Sequence, residues 1–268
     1  MKNKLLHILL IVICAAVFAV ALFFVVQYFV NNKESNEQFT TLSNELDVIE
    51  QEILADVGQA EVVNGETLVS ARVLALRELR EGNSDLVGWI SIEGTTINYP
   101  VMQTEREPEY YLHRDFNKEK NNHGTPFLSA AADISKPSDN IIIYGHRMND
   151  GSMFAPLLEY KEQEFYAKHR LVRFDTVEKT GTYEIIAVFE GYATPQTPDS
   201  FNYYQFVNAE DESEFDKYVD NVKELSFYET GIRAEYGDKL ITLSTCEKGG
   251  GDKRIVVVAK EINKSTTE

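Results

Sequence analysis

The chain has 268 residues, of which 43% are hydrophobic and 26% are charged. These proportions are normal for a globular protein and exclude disorder over the whole length, and the length suits one domain of ordinary size plus an anchor. The formal net charge is −17, from 43 acidic and 26 basic residues, which argues against nucleic acid as a partner because phosphate recognition needs clustered Lys and Arg.

The N-terminal segment predicts a membrane anchor over residues 1–30. Leu5 to Val30 contain no Asp, Glu, Lys or Arg, and the run is long enough to cross a hydrocarbon core of about 30 Å as a helix. Lys2 and Lys4 precede the run, which favours a cytoplasmic N-terminus with the rest of the chain outside the cell. A cleaved signal peptide ending near Ala21 is the alternative, but the apolar run continues well past that residue.

Residues 31–83 predict two amphipathic helices that form a stalk and brace. Gly65 separates the two helices, and Gly82-Asn83 ends the second. Apolar residues recur every three or four positions in each, which marks one buried face; they are Leu42, Leu46, Ile49 and Ile53 in the first helix, and Leu68, Val69, Val73, Leu76 and Leu79 in the second.

Residues 84–268 predict a β domain. Short runs rich in Val, Ile, Tyr and Thr alternate with turn residues, as in a barrel or sandwich. The predicted strands are Val87–Ile92, Thr96–Val101, Asn140–Tyr144, Leu171–Asp175, Thr182–Tyr192, Lys239–Thr245 and Arg254–Ile262. The acidic segment from about Ala209 to Leu225 has apolar residues at helical spacing, so we expect a helix inserted between two strands.

Cys246 is the first candidate for chemistry. The chain has two cysteines, and Cys14 lies in the apolar run, so a disulfide between them is not expected. Cys246 ends a predicted strand beside a glycine-rich loop, where nearby cations such as Lys248 favour its reactive thiolate. A buried apolar cysteine without a chemical role is the alternative that this segment leaves open.

His146 and Arg254 occupy similar strand-end positions. His146 follows the apolar strand Asn140–Tyr144 and suits a general acid or base. Arg254 begins the last strand and suits a developing oxyanion. Structural roles for each remain open when they are taken singly. The chain has no C-x-x-C or paired-His spacing, so neither a metal nor any other cofactor is expected. Cys, His and Arg together are the groups needed for acyl transfer through a thioester.

Several ordered motifs resemble the class B sortases, from about Ser84 to Ile262. The segment Thr242 to Cys246 resembles the family's TLSTC signature at the nucleophile, and Arg254 with its valine-rich strand resembles the catalytic-arginine strand. Three further segments precede these in the chain and occur in the family's order: Val87-Gly88-Trp89-Ile90, Gly124-Thr125-Pro126-Phe127-Leu128 and Ile143-Tyr144-Gly145-His146.

The resemblance implies a mainly β fold, an eight-stranded β-barrel with N-terminal helices and an inserted helix before the nucleophile strand. It also implies a membrane-anchored cysteine transpeptidase with catalytic Cys246, His146 and Arg254. Ser244, Thr245 and Tyr144 are the candidate substrate-binding residues. Some relatives carry Asp where this chain has Glu247, so no role is assigned to that acid.

The implied partners are surface proteins with a C-terminal sorting signal, cleaved after Thr. The acceptor would be an amine of a peptidoglycan precursor or a pilin lysine. Two other classes are considered. A papain-like hydrolase would place its Cys before its His, the reverse of the order here. A non-catalytic adhesion or scaffold protein would have no use for a lone Cys at a strand end.

Overall fold

The computed structural model describes residues 2–57, 69–104, 106–197, 200–246 and 251–262. The expected break at Gly65, the apolar residue Leu68 and the loop residues Glu247 and Lys248 lie outside these ranges. Cys14 is free and exposed, so it forms no disulfide.

One continuous helix, α1 (Lys2–Val57), contains both the apolar run and the first stalk helix. Leu6 to Val30 are exposed without exception, and by length and composition alone this part could cross a membrane. Beyond it, Phe39, Leu42 and Leu46 are buried against the barrel, with Ile49 and Ile53 partly buried on the same side. The predicted apolar face of the first helix is therefore confirmed.

The second helix, α2 (Ala71–Gly82), begins at an N-cap, Ser70, whose hydroxyl accepts a hydrogen bond from the Val73 amide. Val73, Leu76 and Leu79 are buried as predicted, but Val69 is exposed because it precedes the cap. Arg72 fastens the helix pair to the barrel: its guanidinium lies 3.1 Å from Asp47 of α1 and 3.3 Å from the buried Asp175 of a barrel strand.

The described residues form eight strands in a closed mixed barrel of order β1-β2-β3-β4-β7-β8-β6-β5. The strands are β1 (Leu86–Ser91), β2 (Asn98–Met102), β3 (Phe127–Leu128), β4 (Asn140–Tyr144), β5 (Leu171–Thr176), β6 (Thr182–Tyr192), β7 (Leu240–Cys246) and β8 (Lys253–Glu261). The β2/β3 and β4/β7 pairs are parallel and the others antiparallel. The predicted eight-stranded barrel is confirmed, with the two-residue β3 added to the strands expected from periodicity.

Two apolar clusters cover the two faces of β7 and β8. Ile241, Leu243 and Val257 point into the barrel, whereas Leu240 and Val256 alternate to the outer face. The inserted helix α4 (Glu212–Leu225) lies between β6 and β7 in sequence, as predicted, and covers that outer face with Phe215, Tyr218, Val219 and Val222. A short helix, α3 (Gln163–Lys168), was not expected.

Candidate active site

The sheet register brings the backbones of the three candidate catalytic residues to one edge of the barrel. Parallel β4 and β7 pair from Asn140 with Leu240 to Tyr144 with Ser244. His146 and Cys246 therefore each lie two residues beyond the last pair. Cys246 is in turn the register partner of Arg254 in the antiparallel β7/β8 pair. Residues distant in sequence thus converge where β4 and β7 end and β8 begins.

A groove of about 610 Å³ opens at this edge. Its walls include His146 and Arg254 together with the three candidate substrate-binding residues, Tyr144, Ser244 and Thr245. The volume falls in the range of ordinary ligand sites, and most of the wall is apolar apart from these groups. The groove is therefore suited to an extended peptide with a few polar anchoring points.

His146 is half-buried, and its orientation is fixed by a backbone group. Its Nε2 lies 2.7 Å from the carbonyl oxygen of Leu112. A carbonyl only accepts hydrogen bonds, so Nε2 carries the proton and Nδ1 keeps the lone pair. Burial lowers the pKa of His146, the Leu112 carbonyl acts to raise it, and nearby His113 and His123 act to lower it. The result is a neutral imidazole near pH 7 that is ready to accept a proton at Nδ1.

Arg254 is partly exposed at the start of β8. Its Nη1 donates to the carbonyls of Gly251, at 2.7 Å, and Lys253, at 3.0 Å. These two bonds hold Nη1 against the backbone beside the groove. Burial raises the pKa of Tyr144, while the Arg254 charge acts in the opposite direction. The hydroxyl of Tyr144 therefore stays protonated at the groove wall.

Ser244 and Thr245 lie deeper than a solvent-exposed contact would. Ser244 is 2% exposed, and its hydroxyl lies 2.8 Å from the hydroxyl of Tyr203. Thr245 is 1% exposed, and within the described part of the chain its Oγ1 finds no hydrogen-bond partner. A buried hydroxyl without a partner is costly, so Thr245 retains unused hydrogen-bonding capacity at the groove.

Two features of the site were not predicted from the sequence. Tyr203 follows β6 in a 3₁₀ turn (Tyr203–Gln205) and lines the groove beside Tyr204. The aromatic-rich stretch Phe201–Phe206 was the available signal. The Leu112 carbonyl that orients His146 is a backbone group, so no residue type could have indicated it.

Comparison with known proteins identifies the family of the chain and supports its fold. A family model of the sortase domain matches residues 90–262. Sortase B of Staphylococcus aureus is 37% identical over 189 residues, which are 70% of this chain and 74% of that protein.

Solved structures agree with the sequence relatives. A Staphylococcus aureus sortase B–substrate complex superposes with a TM-score of 0.73 at 27% identity, over 88% of this chain and 100% of the other. A sortase B complexed with triglycine superposes with a TM-score of 0.72 at 28% identity, over 87% and 100% of the two chains. The chain belongs to the sortase family of cysteine transpeptidases, and its relatives are sortases of class B.

Proposed function

We propose that this sortase is anchored in the membrane by α1, cleaves a C-terminal sorting signal after Thr, and transfers the resulting acyl group from Cys246 to an amine. The observation that carries the proposal is the register that brings the backbones of Cys246 and Arg254 together and ends β4 just before His146. The groove at that edge supplies the space for a peptide.

The first half of the reaction forms a thioester. The Cys246 thiol gives its proton to Nδ1 of His146 as sulfur attacks the threonine carbonyl carbon. Arg254 donates to the oxygen that becomes negative; a preorganised donor of this kind contributes about 3–4 kcal/mol in other enzymes. The carbon–nitrogen bond then breaks, and His146 returns the proton to the leaving amine. The lowered pKa of His146 favours the second transfer, because the protonated ring then gives up its proton readily to the leaving amine.

The second half consumes the thioester. An acceptor amine attacks the carbonyl carbon, the carbon–sulfur bond breaks, and the amine's proton passes through His146 to the sulfur. The substrate-complex relative supports a peptide donor, and the relative bound to triglycine supports an amine of a short glycine peptide as acceptor. A peptidoglycan precursor and a pilin lysine would each present a primary amine to the thioester.

The proposed anchoring rests on α1. Its apolar part is exposed along Leu6–Val30, and a helix of this length and composition suits a bilayer core. The positive residues at its start favour a cytoplasmic N-terminus with the barrel outside. Asn32 is already buried, and Ser35, about one turn further along α1, bonds to Asn121 of the catalytic domain, so that domain would lie close to the membrane surface.

The test is cleavage of sorting peptides by the full chain, read by mass spectrometry with and without an added amine. Cys246→Ala is expected to abolish cleavage and the thioacyl adduct. His146→Ala and Arg254→Ala should lower turnover by roughly 10²–10⁴-fold while the fold survives. A transpeptidase gives an amine-linked product; a peptidase gives only the free acid. Full activity of Cys246→Ala would refute the scheme.

A further inference from the structure

His146 lies on a closed loop, residues 145–154. The His146 carbonyl accepts the Phe154 amide at 2.8 Å, and Arg147 bridges to Met153. At the tip, Asp150 Oδ1 accepts both the amide of Ser152, at 3.0 Å, and its hydroxyl, at 2.6 Å. The second oxygen of Asp150, Oδ2, faces away from this turn and toward His123.

A second segment, residues 112–123, flanks His146 on the other side. Leu112 supplies the carbonyl that bonds Nε2, and the ring of His113 lies 5.6 Å from the ring of His146. The segment folds back so that the Asn121 amide donates to the His113 carbonyl at 3.0 Å, and Asn121 Oδ1 then accepts the His123 amide at 2.8 Å. His123 therefore ends the segment that orients the His146 ring.

His123 connects this segment to the loop. Its side chain is 1% exposed, and its Nε2 lies 3.6 Å from Asp150 Oδ2. That separation is just beyond hydrogen-bonding distance, and within the described residues Nε2 has no other partner. A buried ring nitrogen without a partner is costly. Because Nε2 faces the Asp150 carboxylate, a small movement of either side chain would form a hydrogen bond between them.

The charges around the pair are consistent with this contact. Burial lowers the pKa of His123, while Asp150 acts to raise it. Burial acts to raise the pKa of Asp150, but the two hydrogen bonds from Ser152 and the nearby His123 outweigh it, and the pKa is lowered. Asp150 is therefore an anion at neutral pH. The titratable groups that act on His146 are the imidazoles of His113 and His123.

Helix α1 supports both sides of this arrangement. Asn36 Nδ2 lies 3.4 Å from Asp150 Oδ2, and Ser35 Oγ lies 2.9 Å from Asn121 Nδ2. Two consecutive residues of α1 thus make one contact each, Asn36 with the loop and Ser35 with the flanking segment. This double contact links the two flanks of His146 through α1.

We propose that His123 and Asp150 form a positioning pair that holds the imidazole of His146 against the Leu112 carbonyl, with Asn36 of α1 as an outer support. The pair touches neither substrate nor reacting atoms. It acts by holding the ring of His146, which lines the groove, in the orientation set by the bond between Nε2 and the Leu112 carbonyl. The inference rests on the proposed role of His146.

The test uses the full chain in lipid nanodiscs, with Asp150→Asn and His123→Gln as the variants. Asp211→Asn is the matched control, since Asp211 also accepts a backbone amide in a turn, at the start of the distant α4. Peptide cleavage gives kcat and KM, and NMR of ¹³C-labelled histidine rings gives the titration of His146. His146→Ala is measured in parallel.

Asp150→Asn is expected to lower kcat about 10- to 100-fold with KM little changed, since misplacing a catalytic group by about 1 Å has an effect of this size. The His146 titration should move to lower pH, because the hydrogen bond to the Leu112 carbonyl favours the imidazolium and would be weakened. His123→Gln should lower kcat similarly. The double variant should lose no more than either single one, because the two residues act as a unit.

Two results separate the ways in which the reasoning could fail. A fully active His146→Ala would overturn the proposed function itself. If His146→Ala is inactive but Asp150→Asn and His123→Gln match Asp211→Asn in kcat and in the His146 titration, only the positioning pair is wrong. If His123→Gln fails to fold, the more exposed Asp150→Asn decides alone; loss of thermal stability with an unchanged titration would assign that residue a purely structural role and overturn the proposal.

Discussion

Gly145 immediately precedes His146, and we expect its replacement by Ala to impair catalysis through packing. A Cβ at this position would lie 2.7 Å from two ring carbons of Phe154 and 3.0 Å from a third. Ordinary contacts begin at 3.4 Å, so the ring or the loop must move by about 0.7 Å. Phe154 is fully buried, and its amide bonds to the His146 carbonyl, so the displacement passes directly to His146.

The expected magnitudes follow from this geometry. Overpacking a closed core costs about 1–3 kcal/mol, which lowers Tm by several degrees in a domain of this size. A misplacement of about 1 Å at a catalytic group can lower kcat by about 100-fold, so a shift of up to about 0.7 Å should lower kcat by about 10- to 100-fold. Gly82→Ala is the control, because its added Cβ would meet Phe116 at an ordinary 3.8 Å.

The assay measures kcat for sorting-peptide cleavage together with thermal unfolding. Gly145→Ala should lose activity and stability, and Phe154→Leu in the same chain should restore part of both by giving the new methyl group room. Gly82→Ala should behave like the parent. If Gly145→Ala keeps full activity and Tm, the loop is more compliant than this packing indicates and the reasoning is wrong.

Three further predictions use the same preparations. Burial lowers the pKa values of His123 and His146, so the unfolded chain binds more protons than the folded chain. The free energy of unfolding should therefore fall as pH drops below about 6.5, by at most about 1.4 kcal/mol per pH unit for each group. His123→Gln should reduce that pH slope in urea unfolding, and an unchanged slope would contradict the lowered pKa of His123. Arg254→Lys should lower kcat/KM by about 10²–10³-fold, because the planar fork of donors is lost; near-parental kinetics would exclude a directed oxyanion contact. Thr245→Val removes a buried hydroxyl without a partner, so the free variant should be as stable as the parent or more stable by about 1 kcal/mol. Its KM should rise if Oγ1 bonds substrate. A less stable variant would show that the hydroxyl has a hydrogen-bond partner in solution.

Local sequence signals located most of the secondary structure. The predicted bounds of β4 and β6 match the structure, because apolar, β-branched runs are flanked there by turn residues. β3 spans only Phe127–Leu128, too short for any periodicity to show. Val69 was misassigned because its apolar character fits the helical pattern, although the helix starts two residues later, after Ser70.

The candidate site also has features that the sequence predicts and features that depend on tertiary packing. Cys246, His146 and Arg254 could be selected from the sequence because each residue type has the required chemistry and lies at a strand end. The sequence could not give the parallel register of β4 and β7 that makes those ends adjacent, since pairing between distant strands depends on the closed barrel. The burial of Ser244 and Thr245 and the bond from Ser244 to Tyr203 arise from the same tertiary packing.

The parallel β4/β7 pair also bears on how the enzyme becomes competent after synthesis. Its partners are separated by 100 positions, and the intervening chain contains β5, β6 and α4. Closing so large a loop is entropically unfavourable until those elements have docked, and pairings of this kind form slowly. We therefore expect the backbones of Cys246 and His146 to come together only in the last stage of barrel closure. A chain whose barrel has not yet closed would thus lack the assembled site, and acyl transfer would begin only once the peptide-binding groove exists.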